Sequence, residues 1–430
     1  MNPKKLLDIA ASKSDSAEVF HSKSTSLSVS FENNSIKDSS SSELAGVGVR
    51  AIKDGRIGFS SSTHPTDERV ASIAPDLAKF GKNVNFDFPS PSSQLPFSAD
   101  LSGAEAVTES MAVELCESAA EQIRALDDKV LAFSGITRSS SSSHLVNTNG
   151  LDLKQDLAFV TWYSGLVLNT EGNFIQIYRA DYGPKFGGFD SQIADVAETF
   201  RLCSENVRIP TGKYRVLLSP RGVLNLVNVF SACLNGMSVA KGISPWGDRL
   251  GDQLFDERFT LLTDLVSYDS PIRMAYDNEG TPTGRRSLIE NGVLRSFVHT
   301  LSSAGQCGHE PSGHGFRGPT SQPSGEMRCA RILPGDGQLD AMKGDAQLWI
   351  DELIGAIMSN PYGGIISGNI ALGFTMENGS RKARIKDAMM SVNVFEAFKS
   401  AILAISSETK QEGSWIVPYL LLDGVSIASK

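Results

Sequence analysis

Between Leu27 and Glu32 apolar and polar residues alternate, with Leu27, Val29 and Phe31 set against Ser28, Ser30 and Glu32. That period of two predicts a strand with one face on a core and one in water. A helix precedes it, because Asn2-Pro3 followed by Leu6, Leu7 and Ala10 reads as a capped start with proline at the first helical position. Beyond the polar Asn33-Asn34, the runs Gly46 to Arg50 and Ile57 to Phe59 flank Asp54-Gly55, a pair that tolerates positive φ and predicts a hairpin. From Ser102 onward Val107, Met111, Cys116, Ala119, Ile123 and Leu126 recur at helical spacing, and Cys116 reads as a small buried hydrophobe. Strand patterning returns from Val130 to Tyr182, where Val160, Trp162, Ile175 and Ile177 alternate and Asn149-Gly150 marks a turn. Within that region Ser139 to Ser143 is of low complexity and predicts a loop. Pro89 to Ser98, with three prolines and four serines, predicts an exposed connection.

A helix around Ile193 to Cys203 leads to Pro210-Thr211-Gly212 and the strand Tyr214 to Leu218, so a domain boundary is expected near Pro210, dividing the chain into 1–210 and 211–430. Ser219-Pro220 then opens a helix with an apolar stripe of Val223, Leu224, Val227, Phe230 and Leu234, which Gly236 is expected to end. Farther on, Asn278-Glu279-Gly280, Asn291-Gly292, Tyr362-Gly363-Gly364 and Asn378-Gly379 are turn signals between short strands. The last strand, Trp415 to Ile427, contains Pro418, which predicts an edge position.

Length and composition narrow the class. A chain of 430 residues exceeds what one core usually organises, and 40% hydrophobic with 21% charged residues is the composition of a folded globular protein. A net charge of −9 removes the sequence-wide positive field that a phosphate backbone would need, so direct nucleic-acid binding is not expected. The short basic group Arg381-Lys382-Ala383-Arg384 reads as a solvated face. Five cysteines without framework spacing suit a reducing compartment, and no stretch has the length of a membrane span, so a cytoplasmic protein with no membrane partner is expected.

Two groups of residues suggest chemistry. His309-Glu310-Pro311-Ser312-Gly313-His314 spells H-E-x-x-x-H, with Cys307 two residues earlier. A metal reading takes His309, His314 and Cys307 as ligands and Glu310 as the base, but Pro311 and Gly313 predict a turn in place of a helix, with one histidine structural or lining a groove. Asp277 and Glu279 are spaced for acid/base work, although Asn278 and Gly280 make the segment a turn whose side chains satisfy backbone donors. Trp162, Tyr178 and Phe186 offer aromatic surface for a peptide, and as strand aromatics they read first as core. No nucleophile elbow, phosphate-binding loop or dinucleotide fingerprint is present.

The succession Asp277-x-Glu279-Gly280-x-Pro282, Glu290-x-Gly292-Val293-Leu294 and Ser312-Gly313-His314 resembles the D-x-E-G-x-P, E-x-G-V-L and T-G-H series of the TldD/PmbA metallopeptidase family, known also as modulators of DNA gyrase. Ser367-Gly368-Asn369 and Glu377-Asn378-Gly379 resemble its later elements, and Ala17 to Phe20 with Gly48 to Phe59 its first domain, so the likeness spans nearly the whole chain. The resemblance implies an α+β fold of two domains: an N-terminal antiparallel sheet with helices and a C-terminal β-rich domain of barrel or sandwich character.

It also implies a peptidase family with two branches. The TldD branch carries a helical H-E-x-x-x-H and a late cysteine, whereas the PmbA/TldE branch lacks these ligands and pairs with a TldD chain. Here Pro220 to Gly236 holds no His, Asp or Glu, and neither His nor Cys follows Cys329. The implied reading is a PmbA/TldE-like subunit with no catalytic, cofactor or metal residues of its own, inactive alone. Zinc is then expected in a TldD-like partner, peptides are the substrate, and an extended groove would take a peptide as an added strand. A homodimer, a self-sufficient metallopeptidase using the His309/His314 loop, and a regulatory binder of gyrase are the other readings left open.

Overall fold

The computed structural model describes residues 3–33, 35–93, 100–171, 173–356 and 360–429. Six long strands, β1 (Ser16–Glu32), β2 (Ser35–Lys53), β3 (Arg56–Ser62), β4 (Leu131–Asn147), β5 (Asp152–Thr170) and β6 (Asn173–Gly183), form an antiparallel sheet in the order β3-β2-β1-β4-β5-β6. The alternation in β1 sorts its residues by face. Ala17 and Val19 pack on helices Pro3–Ala11 and Arg69–Ala78, and Val29 and Phe31 on helix Glu109–Arg124. Glu18 and Phe20 point the other way, Phe20 joining Leu145, Leu151, Ala275 and Tyr276 in a cluster shared with the second half of the chain. Val160, Trp162, Ile175 and Ile177 are all buried in one cluster, as their spacing predicts, with Phe186 edge-on to Trp162 while Tyr178 stays half exposed.

The second sheet has twelve strands. Part of it closes: Gly212–Leu218 pairs with Leu348–Ile354, then Ile365–Glu377, then Ala388–Asn393, then Trp415–Ser429, which returns to Gly212–Leu218. This ring is a barrel, and the α+β architecture agrees with the sequence expectation. Helix Pro220–Cys233 packs on it through Val223, Leu226, Val227, Phe230 and Cys233. The two sheets are not insulated from each other, because one apolar cluster takes Val29, Ile136 and Val160 from the first and Leu217, Trp349, Tyr419 and Leu421 from the second.

Several expectations need correction. Ser139 to Ser143 is no loop: it lies inside β4, hydrogen-bonded on both sides to β1 and β5. The serines there are matched by hydroxyls across the ladder, with Thr25 Oγ1 2.8 Å from Ser140 Oγ. The helical region after Ser102 is two helices, Ser102–Glu105 and Glu109–Arg124, because the Thr108 side chain accepts the Met111 N–H at 3.2 Å and caps the second. Met111 and Leu126 are consequently exposed. Pro418 sits in a central strand; it faces a register irregularity between Ile405 and Thr409, and it falls between Ile416, which pairs with Arg331, and Leu420, where pairing to Leu218 begins. A missing N–H is tolerated there.

Nor is Arg384 solvated. It is buried, and its guanidinium donates to Asn173 Oδ1 at 2.9 Å and to the Phe174 carbonyl at 2.7 Å. With Arg179 on the Tyr178 carbonyl at 3.0 Å and Gln411 on that of Tyr182, it occupies the outer edge of β6, so that edge is closed to an added strand at these positions. Asn2, Asn34 and residues 94–98 of the expected connection lie outside the described residues; Ser90 to Ser93 are exposed and irregular, as predicted.

Candidate functional site

The turn from Asp277 to Pro282 is built by its own side chains. Asp277 Oδ1 accepts the N–H groups of Glu279 and Thr281, both at 2.9 Å, and Oδ2 accepts that of Gly315 at 2.8 Å. Three N–H donors favour the anion, although burial and the neighbouring Glu279 carboxylate push its pKa upward. Gly280 lies at φ 83° and Gly313 at φ 72°, and a Cβ on Gly315 would stand 2.2 Å from Glu279 Oε2. The turn predicted from Asn278 and Gly280 is therefore present, and Asp277 is fully engaged in holding it.

Glu279 faces a different task. Its Oε1 accepts Arg50 Nη1 at 2.6 Å and its Oε2 accepts the Leu301 N–H at 2.8 Å, where helix Leu301–Cys307 begins. Arg50 also donates through Nε and Nη2 to Glu18, each at 2.9 Å, and Arg317 Nη2 reaches Glu18 Oε1 at 2.5 Å. All four side chains are out of water. This Glu18–Arg50–Glu279–Arg317 group ties the first sheet to the loop and helix of the second half. No local pattern in the sequence pairs Arg317 with Glu18, a residue 299 positions away.

The same loop positions the histidines. His314 is 1% exposed; its Nδ1 donates to the Ser312 carbonyl at 2.7 Å and its Nε2 accepts from Thr263 Oγ1 at 2.9 Å. Burial moves its pKa down to about 4, so the ring is neutral with both nitrogens used. The alternative metal set of His309, His314 and Cys307 is therefore not assembled, and Glu310 is exposed. The reason is the non-helical backbone of 309–314, which points the two histidines to different places.

His299, not His314, stands beside His309. Ser312 Oγ accepts its N–H at 2.6 Å, Ser303 Oγ lies 3.1 Å from its Nδ1, and His309 Nδ1 lies 2.9 Å from its Nε2. Helix Leu301–Cys307 has a capping box of Thr300 and Ser303 and ends at Gly308, φ 68°, which turns the chain back so that His309 stacks on Phe297. His299, Cys307 and His309 bring one ligand atom each to within 4.8 Å of one another. Burial lowers the His299 pKa to about 4 and raises that of the Cys307 thiol. The spacing His-x7-Cys-x-His was legible in the sequence, but the literal H-E-x-x-x-H obscured it.

Helix Pro220–Cys233 occupies the slot where the resemblance implies zinc. Ser219 caps it, accepting the Gly222 N–H at 3.2 Å and donating to Asp351 Oδ1 at 2.5 Å. Its less buried positions carry Arg221, Leu224, Asn225, Asn228, Ser231 and Ala232, and Cys233 is a buried thiol pushed up to about 12. No imidazole or carboxylate projects from it, so the residues of this helix do not fit a zinc ion. Its end also differs from expectation: it stops at Cys233, and Gly236 instead opens the short helix Gly236–Ala240, where a Cβ would meet His299 Nδ1 at 2.1 Å.

The remaining motif residues lie in turns and strands. Glu290 pairs at the surface with Arg295 at 3.1 Å beside the Asn291-Gly292 turn, and Asn378-Gly379, at φ 49° and 74°, turns Ile365–Glu377 into the next strand. Ser367 and Gly368 lie within that strand, Ser367 Oγ being 2.9 Å from Ser391 Oγ.

Residues 211–429 match the PmbA/TldA metallopeptidase C-terminal domain, and residues 17–79 match PmbA/TldA metallopeptidase domain 1. The chain belongs to the PmbA/TldD metallopeptidase family. Within that family it is 25% identical to an uncharacterised protein of Methanocaldococcus jannaschii, covering 99% of both chains. It is 23% identical to the metalloprotease PmbA of Escherichia coli O157:H7, covering 97% of this chain and 94% of that one. The crystal structure of TldE from Thermococcus kodakarensis shares the fold, with a TM-score of 0.89 at 21% identity over 99% of each chain. Among the described residues no helix is long and apolar enough to cross a membrane.

Proposed function

We propose that this chain is a PmbA/TldE-type subunit of a two-chain zinc metallopeptidase, acting on peptides in the cytoplasm while a TldD-like partner supplies the hydrolytic metal. The observation that carries this reading is helix Pro220–Cys233, which offers only aliphatic, aromatic, amide, hydroxyl and guanidinium groups besides one buried thiol. A water-activating Lewis acid needs nitrogen, sulfur or carboxylate ligands and a base, and the helix cannot present them. The relatives named PmbA and TldE support the same branch. Peptide hydrolysis should be measured for the chain alone and mixed with a TldD-like chain from the same genome. Zinc-dependent cleavage is expected only from the mixture; equal cleavage by the lone chain would refute the subunit role.

A further inference from the structure

We propose that His299, Cys307 and His309 form a zinc-binding site, separate from helix Pro220–Cys233. Two imidazole nitrogens and a thiolate are the donor set that zinc takes, and one that magnesium and calcium, which want oxygen, do not. The three ligand atoms lie within 4.8 Å of one another, and a tetrahedral zinc holds two imidazole nitrogens and a thiolate about 3.3 to 3.6 Å apart, so binding would draw the widest pair together by up to about an ångström. The 2.9 Å contact between His299 Nε2 and His309 Nδ1 needs to open by only a few tenths of an ångström when the cation replaces the proton they share.

The surroundings hold the ligands ready. His299 Nδ1 is 3.1 Å from Ser303 Oγ, which is in turn 3.4 Å from the Thr300 carbonyl; with the Ser303 hydroxyl donating to that carbonyl, its oxygen accepts an Nδ1–H and Nε2 is the nitrogen that would ligate. Gly236 gives the ring the space that any side chain would fill. His309 is fixed by its N–H donating to the Ala304 carbonyl at 2.9 Å and by its stack on Phe297. Cys307 is the one cysteine of the five that is not fully buried, so an ion can reach it from solvent. Water fills the fourth position.

The test uses the full chain, stripped with chelator and titrated with zinc, and with cobalt as a spectroscopic substitute, while native mass spectrometry counts bound ions. One equivalent is expected, with a thiolate-to-cobalt charge-transfer band. Cys307→Ser should abolish the band and His309→Ala should weaken binding at least tenfold, with the metal-free variants melting as the parent does. No stoichiometric uptake by the parent, or uptake unchanged in both variants, overturns the site. Peptide cleavage by the zinc-loaded lone chain would refute the subunit role while leaving this site standing, so the two failures are distinguishable.

Discussion

Arg50 lies in β2 of the first sheet and Glu279 in a turn of the second half of the chain, yet they meet through a 2.6 Å Nη1–Oε1 contact with neither side chain exposed to water. Glu18 and Arg317 complete the group, so each carboxylate faces guanidinium and each guanidinium faces carboxylate. Removing one partner strands a buried charge. Arg50→Met should therefore destabilise the protein by about 3 to 5 kcal/mol in urea denaturation. A loss under about 1 kcal/mol would mean the group is not closed off from solvent.

The same group sets an acid limit. Burial alone would raise the Glu18 pKa, but Arg317 and Arg50 outweigh it and hold the carboxyl below its usual value; Asp351 is lowered in the same way against burial by Arg221, Arg179 and Ser219. With folded values below the unfolded ones, about 4.3 for Glu and 3.9 for Asp, this stability is complete above the unfolded pKa and drains away as pH falls through the folded one. Urea midpoints should begin to fall below about pH 6.5, where His299 and His314 gain protons in the unfolded chain that the fold excludes, and should drop more steeply below about pH 4 as Glu18 and Asp351 protonate. Glu18→Gln should shallow that drop.

Gly236 and Gly55 make a contrasting pair. An added Cβ at Gly236 meets His299 Nδ1 at 2.1 Å and Ser303 Oγ at 2.8 Å, whereas at Gly55, φ 69°, it meets nothing within 4 Å. Gly236→Ala should cost about 1 to 3 kcal/mol by overpacking, and Gly55→Ala about 1 kcal/mol through backbone strain alone. Only the first should perturb the His299 imidazole resonances in NMR spectra.

The serine run separates a strand from a loop by experiment. Ser141 lies between Ser24 of β1 and Leu157 of β5. Ser141→Pro should cost about 3 kcal/mol or more, since a central ladder loses a donor and is forced apart. Retention of the parent melting temperature would contradict the strand.

What was legible in the sequence follows what is local. Val160 and Trp162 showed their strand because large apolar residues recur at every second position and face one core, and Asn378-Gly379 showed its hairpin because few residues accept its φ values. Ser139 to Ser143 hid its strand because both faces are hydroxylic; the order comes from β1 and β5 on either side, which periodicity cannot register. Pro418 misled for a related reason, as an irregular register elsewhere makes room for it. At the site, the turn at Asp277 was readable from its residue types. The meeting of His299 with His309 was not, because it depends on the left-handed bend at Gly308.

The apolar cluster that joins Val29 and Val160 to Trp349, Tyr419 and Leu421 bears on how the polypeptide matures. During synthesis the first six strands emerge early, but their interior stays unsealed until Leu421 has left the ribosome. A nascent chain paused after Pro210 would present that greasy seam to chaperones, and proteolytic halves would clump instead of surviving as separate bodies.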